Sequence, residues 1–249
     1  MEKNITLLIP AYNEEKLIEK TTLDLYDYLQ NIKRRSIISS FEIIICVNGS
    51  IDNTEKIASN LSKQHKEITY LSIKEKGLGI ALTEGIKRAK KNIITLVAAD
   101  GVDSLDFIER AVPLMEEYQF VYCSKYLVKQ QLGSSLLRKV LSRIFREFFR
   151  LMFKYKFSDA SSVPVFRKDA AEMLLPHMKK KGYEWEIEVL YNSLKYNLKT
   201  KEIPLKLSFK RSSRESKVNL LSVASSFFLN SLKYGFKIYF TGFNKQPPN

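Results

Sequence analysis

The sequence predicts an α/β fold in which a mainly parallel sheet carries helices on both faces. Three observations carry this. Short apolar, β-branched runs alternate with helix-length amphipathic segments over the first 120 residues. Such runs read as strands buried on both faces, and their alternation with helices reads as repeated βα units. Three of the runs end in polar or turn residues: Pro10-Ala11-Tyr12-Asn13-Glu14, Asn48-Gly49-Ser50 and Asp100-Gly101-Val102-Asp103. Ligands of open parallel sheets sit beyond the carboxyl ends of the strands, so these turns mark the expected site.

The elements follow in order. Ile5 to Ile9 is a strand ended by Pro10. Glu14 to Gln30 places Leu17, Ile18, Leu25, Tyr28 and Leu29 on one helical face. Phe41 to Val47 is a second strand, after which Asp52 or Asn53 can cap a helix running to Leu61. Ile68 to Ile73 is a third strand, Gly77 to Ala89 a helix, Asn92 to Ala98 a fourth strand and Leu105 to Tyr118 a helix. Gly77, Ala81, Gly85 and Ala89 recur every four residues, which lets the helix approach the sheet closely. A glycine inside a helix costs about 1 kcal/mol relative to alanine, so Gly85 needs a packing reason. Gly77 and Gly79 could also let backbone N–H groups approach a phosphate.

The second half differs in charge. Residues 1–120 carry 16 basic and 18 acidic side chains, whereas residues 121–217 carry 22 and 9. Such an excess points to an anionic partner: nucleic acid, a phosphate-bearing substrate or a membrane surface. Residues 134–157 read as a basic amphipathic helix. Leu137, Val140, Leu141, Ile144, Phe145, Phe148, Phe149, Met152 and Tyr155 form its apolar stripe, with Arg138, Lys139, Arg143, Arg146, Arg150 and Lys154 around it. It suits a helix packed on the domain and equally a helix lying on a membrane. Glu184 to Tyr196 is a helix, Ile203 to Phe209 a strand, Lys210 to Lys217 a basic loop and Leu220 to Tyr239 a second amphipathic helix.

Composition excludes several classes. With 249 residues and 45% hydrophobic content, the chain can bury a core without disulfides. Cys46 and Cys123 lie in apolar runs and read as reduced core residues. His65 and His177 have no ligand spacing, which argues against a histidine-built metal or acid–base site. No signal peptide or membrane-spanning run is read, so the expected location is cytoplasmic, peripheral on the cytoplasmic face of the membrane. Nucleic acid is not expected as a partner, because the aromatics share the apolar stripe and form no stacking platform.

Over about residues 4 to 217 the chain resembles the family-2 GT-A glycosyltransferases, in particular the dolichyl-phosphate mannose and glucose synthases. The resemblance rests on motifs in the family's order. They are Ile9-Pro10-Ala11-Tyr12-Asn13-Glu14, Glu42-Ile43-Ile44-Ile45 with Asn48-Gly49-Ser50-Ile51-Asp52-Asn53-Thr54, and Lys76-Gly77-Leu78-Gly79 with Gly85. Ala98-Ala99-Asp100-Gly101 and late Arg211 with Ser216-Lys217 complete the set.

The resemblance implies a GT-A fold, Rossmann-like, over 1–217. Residues 1–120 form a nucleotide-sugar half and 121–217 an acceptor half, with C-terminal amphipathic helix and tail over 218–249. It implies a donor pocket of Pro10, Tyr12, Glu14, Asn48, Lys76, Ala98 and Ala99. It implies Mg²⁺ or Mn²⁺ held by Asp100, because carboxylates suit a hard cation that neutralises a diphosphate; Asp103 is a candidate second ligand, and helix capping by Ser104 or Asp106 is an equally good use of that loop. Asp100, Arg211 and Lys217 are the implied catalytic residues. Lys125, Ser142 and Arg143 are the implied contacts of the acceptor phosphate.

The implied reaction moves a sugar from a nucleoside diphosphate to a polyprenyl phosphate with inversion. The acceptor phosphate oxygen is itself the nucleophile, so no strong base is required. The expected partners are the nucleoside-diphosphate sugar, the polyprenyl phosphate and an anionic membrane surface, with a homo-oligomer or a membrane-protein partner left open. Ala98 stands where the family usually has its first motif aspartate, and Val47 and Asn48 where it often has two aspartates. These departures keep open a catalytically impaired nucleotide-sugar-binding homologue. A family-2 enzyme with a glycan or protein acceptor is the other alternative.

Overall fold

The structure, a computed structural model, describes residues 2–99, 105–127, 136–154, 157–158, 163–205 and 220–241. Its centre is a seven-stranded sheet of β1 (Asn4–Ala11), β2 (Ser40–Asn48), β3 (Ile68–Ile73), β4 (Ile93–Leu96), β5 (Phe120–Ser124), β6 (Val163–Arg167) and β7 (Thr200–Pro204). Their order across the sheet is β3-β2-β1-β4-β6-β5-β7. β6 is antiparallel to both β4 and β5, and the other pairings are parallel. The helices are α1 (Ile18–Arg34), α2 (Thr54–Gln64), α3 (Leu78–Arg88), α4 (Asp106–Ala111), α5 (Leu136–Met152), α6 (Lys168–Leu174), α7 (Trp185–Lys195) and α8 (Leu220–Thr241).

Strand side chains alternate between two cores, as a period of two requires. Ile5, Leu7 and Ile9 of β1 face α1, α2 and α4, where Leu25, Leu29, Leu61 and Phe107 are buried. Leu8, Ile44 and Cys46 face the other layer, with Leu82, Ile86, Phe149 and Trp185. The fold is thus the expected α/β architecture with helices on both faces. Gly85 has the packing reason its helix cost demanded: a Cβ there would lie 2.9 Å from Cys46 Sγ and 3.1 Å from both Leu8 δ-carbons.

Several segments depart from the sequence expectation. The first helix is Ile18–Arg34 rather than Glu14–Gln30, and the helix expected over 134–157 ends at Met152, with a turn at 153–154. The helix expected from Leu105 to Tyr118 is α4 followed by a separate 3₁₀ turn over Val112–Glu116. Pro113 has no N–H to donate and interrupts the α-helical ladder. The expected strand Ile203–Phe209 is instead Thr200–Pro204, because its register pairs Thr200 to Pro204 with Phe120 to Ser124; positions 206–209 lie outside the described residues. Strands β5 and β6 and helix α6 are not among the elements the sequence predicts. Pro164 argues against a strand, yet it is the second residue of β6 and pairs with Tyr122 of β5, one position beyond the β4 ladder, which begins at Val165, so its missing N–H takes no bond from β4.

Helix α5 does not present one uninterrupted apolar face. Phe149 is buried, while Ile144 and Leu151 are exposed. The helix packs on α8, where a Cβ on Gly235 would come within 2.8 Å of Met152. Phe148 and Phe228 rings meet at 4.9 Å, and the Tyr239 hydroxyl donates to Leu151 O at 2.9 Å. Among the described residues, no helix is long and apolar enough to cross a membrane.

Candidate nucleotide-sugar site

The strand order creates a switch point. The chain winds from β1 through β2 to β3 on one side and then returns to place β4 on the other side of β1. Loops leaving β1 and β4 therefore diverge and open a crevice at their carboxyl ends, the ordinary ligand position in such sheets. The turn after β1, the turn after β2, the segment before α3 and Ala98-Ala99 all lie at this edge.

The first two loops are stitched together by hydrogen bonds. Asn13 adopts φ 53°, a left-handed conformation that asparagine tolerates. Its N–H donates to Ser50 Oγ at 3.0 Å, while its side-chain oxygen accepts from Ile51 N–H at 2.9 Å. Glu14 N–H donates to Thr54 Oγ1 at 2.8 Å, and Glu15 N–H donates to Asp52 Oδ2 at 3.1 Å. The other Asp52 oxygen accepts from Thr54 N–H at 3.0 Å, capping α2. Glu15 returns the contact, accepting from Asn53 N–H at 3.1 Å and Nδ2 at 2.9 Å. Sequence reasoning missed Glu15, Ser50 and Thr54 as the fasteners of this edge. The run Asn48 to Thr54 signals turn and cap chemistry, but only tertiary contact shows that the partner loop is 13–15.

Asn48 is buried at the centre of the edge. In the amide orientation that satisfies both ends, its nitrogen donates to Ala11 O at 2.9 Å and to Cys46 O at 3.3 Å. Its oxygen then accepts from Gly77 N–H at 3.1 Å. One side chain thus joins the ends of β1 and β2 to the start of α3. All three of these contacts are with backbone, so Asn48 shapes the edge through its loops. Gly49, at φ 69°, brings its N–H to Ile73 O at 2.7 Å and tucks against the Lys76 backbone, where a Cβ would lie 3.0 Å from the Lys76 nitrogen. Lys76 reaches back so that its Nζ lies 4.0 Å from the centre of the half-buried Tyr12 ring, within cation–π range.

Three N–H groups at the start of α3 are already taken within the protein. Gly77 N–H is directed at Asn48, and Gly79 and Ile80 N–H groups donate to Lys181 O at 2.9 and 3.3 Å. The two glycines instead admit the 180–181 backbone: a Cβ on Gly77 would meet Lys181 O at 2.4 Å and one on Gly79 would meet Lys180 O at 2.2 Å.

The remaining expected residues are placed as follows. Pro10 is half-buried in β1 opposite Cys46. Glu14 O accepts from Leu17 and Ile18 N–H groups and starts α1. Ala99 is buried, with its carbonyl accepting from Thr21 Oγ1 at 2.7 Å, and Val97 N–H donates to Leu8 O at 2.9 Å, so the end of β4 is anchored beside β1. Asp100, Asp103, Arg211 and Lys217 lie outside the described residues. Among the described residues no group of three histidine, cysteine, aspartate or glutamate side chains could hold a metal ion.

On the acceptor side, Lys125 follows β5 and begins a 3₁₀ turn. The preceding Ser124 is buried, with Oγ 2.8 Å from Ser158 Oγ; Ser158 donates from N–H and hydroxyl to Glu202 Oε1 at 2.8 and 3.1 Å. Arg143 is exposed on α5, and Ser142 lies in the same helix. The structure thus brings Lys76 onto Tyr12, while Asn48 bonds the backbone of their chain neighbours Gly77 and Ala11. It places Lys125 at the same sheet edge, separated from β4 by β6.

Burial pushes both cysteine thiols up to about 12, so neither is an available thiolate. Tyr28 donates to Leu105 O at 2.8 Å and Glu109 Oε1 at 3.1 Å, and its hydroxyl is held well above the ordinary tyrosine range by burial and by Glu109. These groups are structural.

Known proteins agree with this fold. The family model described as Glycosyl transferase family 2 matches residues 6–175. An uncharacterized protein of Methanocaldococcus jannaschii is 30% identical over 95% of this chain and 89% of its own length. A UDP-N-acetylglucosamine–dolichyl-phosphate N-acetylglucosaminyltransferase of Methanococcus voltae is 27% identical over 96% of this chain and 94% of its own. A dolichyl-phosphate β-glucosyltransferase of Dictyostelium discoideum is 26% identical over 80% of this chain, which spans 64% of that enzyme. Among solved structures, a glucosyl-3-phosphoglycerate synthase of Mycobacterium tuberculosis, in complex with Mn²⁺, UDP-glucose and phosphoglyceric acid, superposes with a TM-score of 0.64 at 17% identity. That match covers 94% of this chain and 80% of the synthase. The seven-stranded mixed sheet, the switch-point crevice and the family match together place this chain in glycosyl transferase family 2, with a GT-A fold.

Proposed function

We propose that the chain is a glycosyltransferase that moves a sugar from a nucleoside diphosphate to a polyprenyl phosphate of the dolichyl type. The observation that carries the acceptor is the near end-to-end match with the Methanococcus voltae dolichyl-phosphate transferase, over 96% of this chain and 94% of that one. The donor assignment rests on the switch-point edge, where Tyr12 offers a ring to a base and Lys76 a cation to a phosphate.

The proposed division of labour follows the halves of the chain: 1–120 for the donor, 121–217 for the acceptor, and 218–249 as a lipid-side helix and tail. Pro10, Tyr12, Glu14, Ala98 and Ala99 line the donor pocket, with Asn48 holding its loops in place. Asp100, with Asp103, would hold Mg²⁺ or Mn²⁺; the bound cation offsets the charge that grows on the leaving diphosphate. Arg211 and Lys217 would supply positive charge to the donor and acceptor phosphates where negative charge develops. Lys125, Ser142 and Arg143 orient the acceptor phosphate. Its oxygen attacks the anomeric carbon, the bond to the diphosphate breaks, and the configuration inverts.

The lipid acceptor suits the α5–α8 face. Ile144, Leu151, Phe228, Leu229, Phe236 and Phe240 are exposed there, beside exposed Arg143, Lys233 and Lys237. Aromatic and aliphatic side chains framed by cations match the boundary between acyl chains and anionic headgroups. The test is a panel of nucleotide sugars incubated with the purified chain, Mn²⁺ or Mg²⁺, and dolichyl phosphate in vesicles. A lipid-linked sugar from at least one donor is expected, and its loss in Asp100→Asn supports the metal assignment. Absence of product from every donor would overturn the proposal. Nucleotide binding without turnover would instead favour the impaired homologue to which Ala98 points.

A further inference from the structure

Glu188 of α7 is 4% exposed. A carboxylate is almost never that deeply buried without partners. Its Oε2 accepts from the N–H groups of Lys179 and Lys180, each at 2.8 Å. Its Oε1 accepts from the Tyr234 hydroxyl of α8 at 3.0 Å. Three donors converge on one charge, and hydrogen bonds to an ionised acceptor are the stronger kind. The Tyr234 ring also stacks on Tyr191 at 4.6 Å. Burial and the Glu188 charge hold its hydroxyl in the protonated, donating form.

The backbone that Glu188 grips is the one that seats α3. Lys181 O takes the Gly79 and Ile80 N–H groups, first-turn donors with no partner inside their own helix. The fit allows no slack, since a Cβ on Gly79 would lie 2.2 Å from Lys180 O. One residue before α3, Gly77 N–H meets the Asn48 amide. One residue earlier again, Lys76 covers Tyr12. A continuous set of contacts therefore runs from α8 through Tyr234 and Glu188 to the 179–181 backbone, the start of α3, and the Tyr12–Asn48–Lys76 edge. Shape alone does not require this carboxylate, since an apolar side chain packs the same space without the cost of burying a charge. The converging donors do require a hydrogen-bonding side chain there.

We propose that Glu188 is a positioning residue for the nucleotide-sugar site, fixing the 179–181 backbone against α3 and tying it to the lipid-side helix α8 through Tyr234. This rests on the reading of the Tyr12–Asn48–Lys76 edge as the donor site. Glutamine at 188 keeps an acceptor for the two N–H groups and turns its amide toward the Tyr234 oxygen, which can accept. Alanine removes both connections.

The test measures the Kd of UDP and of GDP with Mn²⁺ by calorimetry on the full chain, beside the melting temperature. Glu188→Ala is expected to weaken whichever nucleotide the parent binds by about tenfold, and Glu188→Gln to stay within about threefold of the parent. Tyr234→Phe, which cuts the α8 connection alone, is expected to weaken it by about threefold. A merely structural role would lower the melting temperature and leave Kd unmoved. That result in a folded Glu188→Ala would overturn the proposal while leaving the donor site intact. Should that variant not fold, Gly79→Ala displaces the same backbone from the other side, and nucleotide binding at parental strength would overturn the proposal equally. A parent that binds neither nucleotide removes the donor-site reading itself, and this inference with it.

Discussion

Asn48→Asp places a carboxylate where the resemblance to family-2 enzymes leads one to expect acid, and the structure expects it to be harmful. The Asn48 nitrogen faces two carbonyl oxygens, Ala11 O at 2.9 Å and Cys46 O at 3.3 Å. The substitution removes both donors and turns an oxygen toward each carbonyl. Each buried group left without its partner costs about 1–3 kcal/mol. The site is 4% exposed, so water does not replace the lost bonds, and an added charge there is disfavoured further. The total is about 3–5 kcal/mol, at the large end for a single substitution. For a chain of this size that lowers Tm by about 6–20 °C. The deficit should depend on pH. Burial and the facing carbonyls raise the folded-state pKa of the introduced acid above its unfolded value. Its protonated form, which can donate to Ala11 O, is therefore favoured in the fold. The damage is then greatest well above the raised pKa and shrinks as pH falls through it. Thermal melts of the parent and the variant across acid to neutral pH measure this. A variant melting within about 2 °C of the parent at neutral pH, with no pH dependence of the difference, would show that the amide nitrogen does not face those carbonyls.

Three further outcomes follow from the same structure. Lys76→Gln removes the cation over Tyr12 and should weaken nucleoside-diphosphate binding by calorimetry while shifting stability by no more than about 1 kcal/mol, since the lysine is exposed. Raising pH above the ordinary thiol range should destabilise the fold. Cys46 and Cys123 have folded-state values raised from 9.0 to about 12, so their contribution is complete below the unfolded value and is lost as pH climbs from about 9 toward 12. Urea midpoints in Cys46→Ala should fall less steeply over that window. Phe236→Glu with Phe240→Glu, at positions 52% and 82% exposed, should leave the melting temperature unchanged and reduce co-sedimentation with anionic vesicles by at least about tenfold, because each aromatic buried in lipid contributes about 1.5–3 kcal/mol. Equal co-sedimentation would refute the α8 face as the lipid contact.

Much of the first half was legible because its signals are local. A buried parallel strand is a continuous apolar run, as Ile5 to Ile9 and Phe41 to Val47 are. Glycine at position 85 announces a close approach before its neighbours are known. The second half was less legible. Val163 to Arg167 contains a proline and reads poorly as a strand, and only pairing with β4 and β5 makes it one. The apolar stripe of α5 looked uniform, yet its packing on α8 buries Phe149 and leaves Ile144 exposed.

The site divides in the same way. Sequence order alone determined that Tyr12, Asn48, Lys76 and Ala98-Ala99 lie at strand ends on one edge, because in a parallel sheet each apolar run must finish there. It also determined the basic second half and the aromatic helices that suit an anionic lipid. What only the tertiary structure decided is which groups are spoken for. Gly77 and Gly79 were candidates to hold a phosphate, but their N–H groups are taken by Asn48 and by the 181 carbonyl. Glu188, ordinary in the sequence of an amphipathic helix, is buried and joins Tyr234 of α8 to the 179–180 backbone. The physical reason is shared. A hydrogen-bond donor has few partners to give, and spacing along the chain does not reveal which distant acceptor folding brings to it.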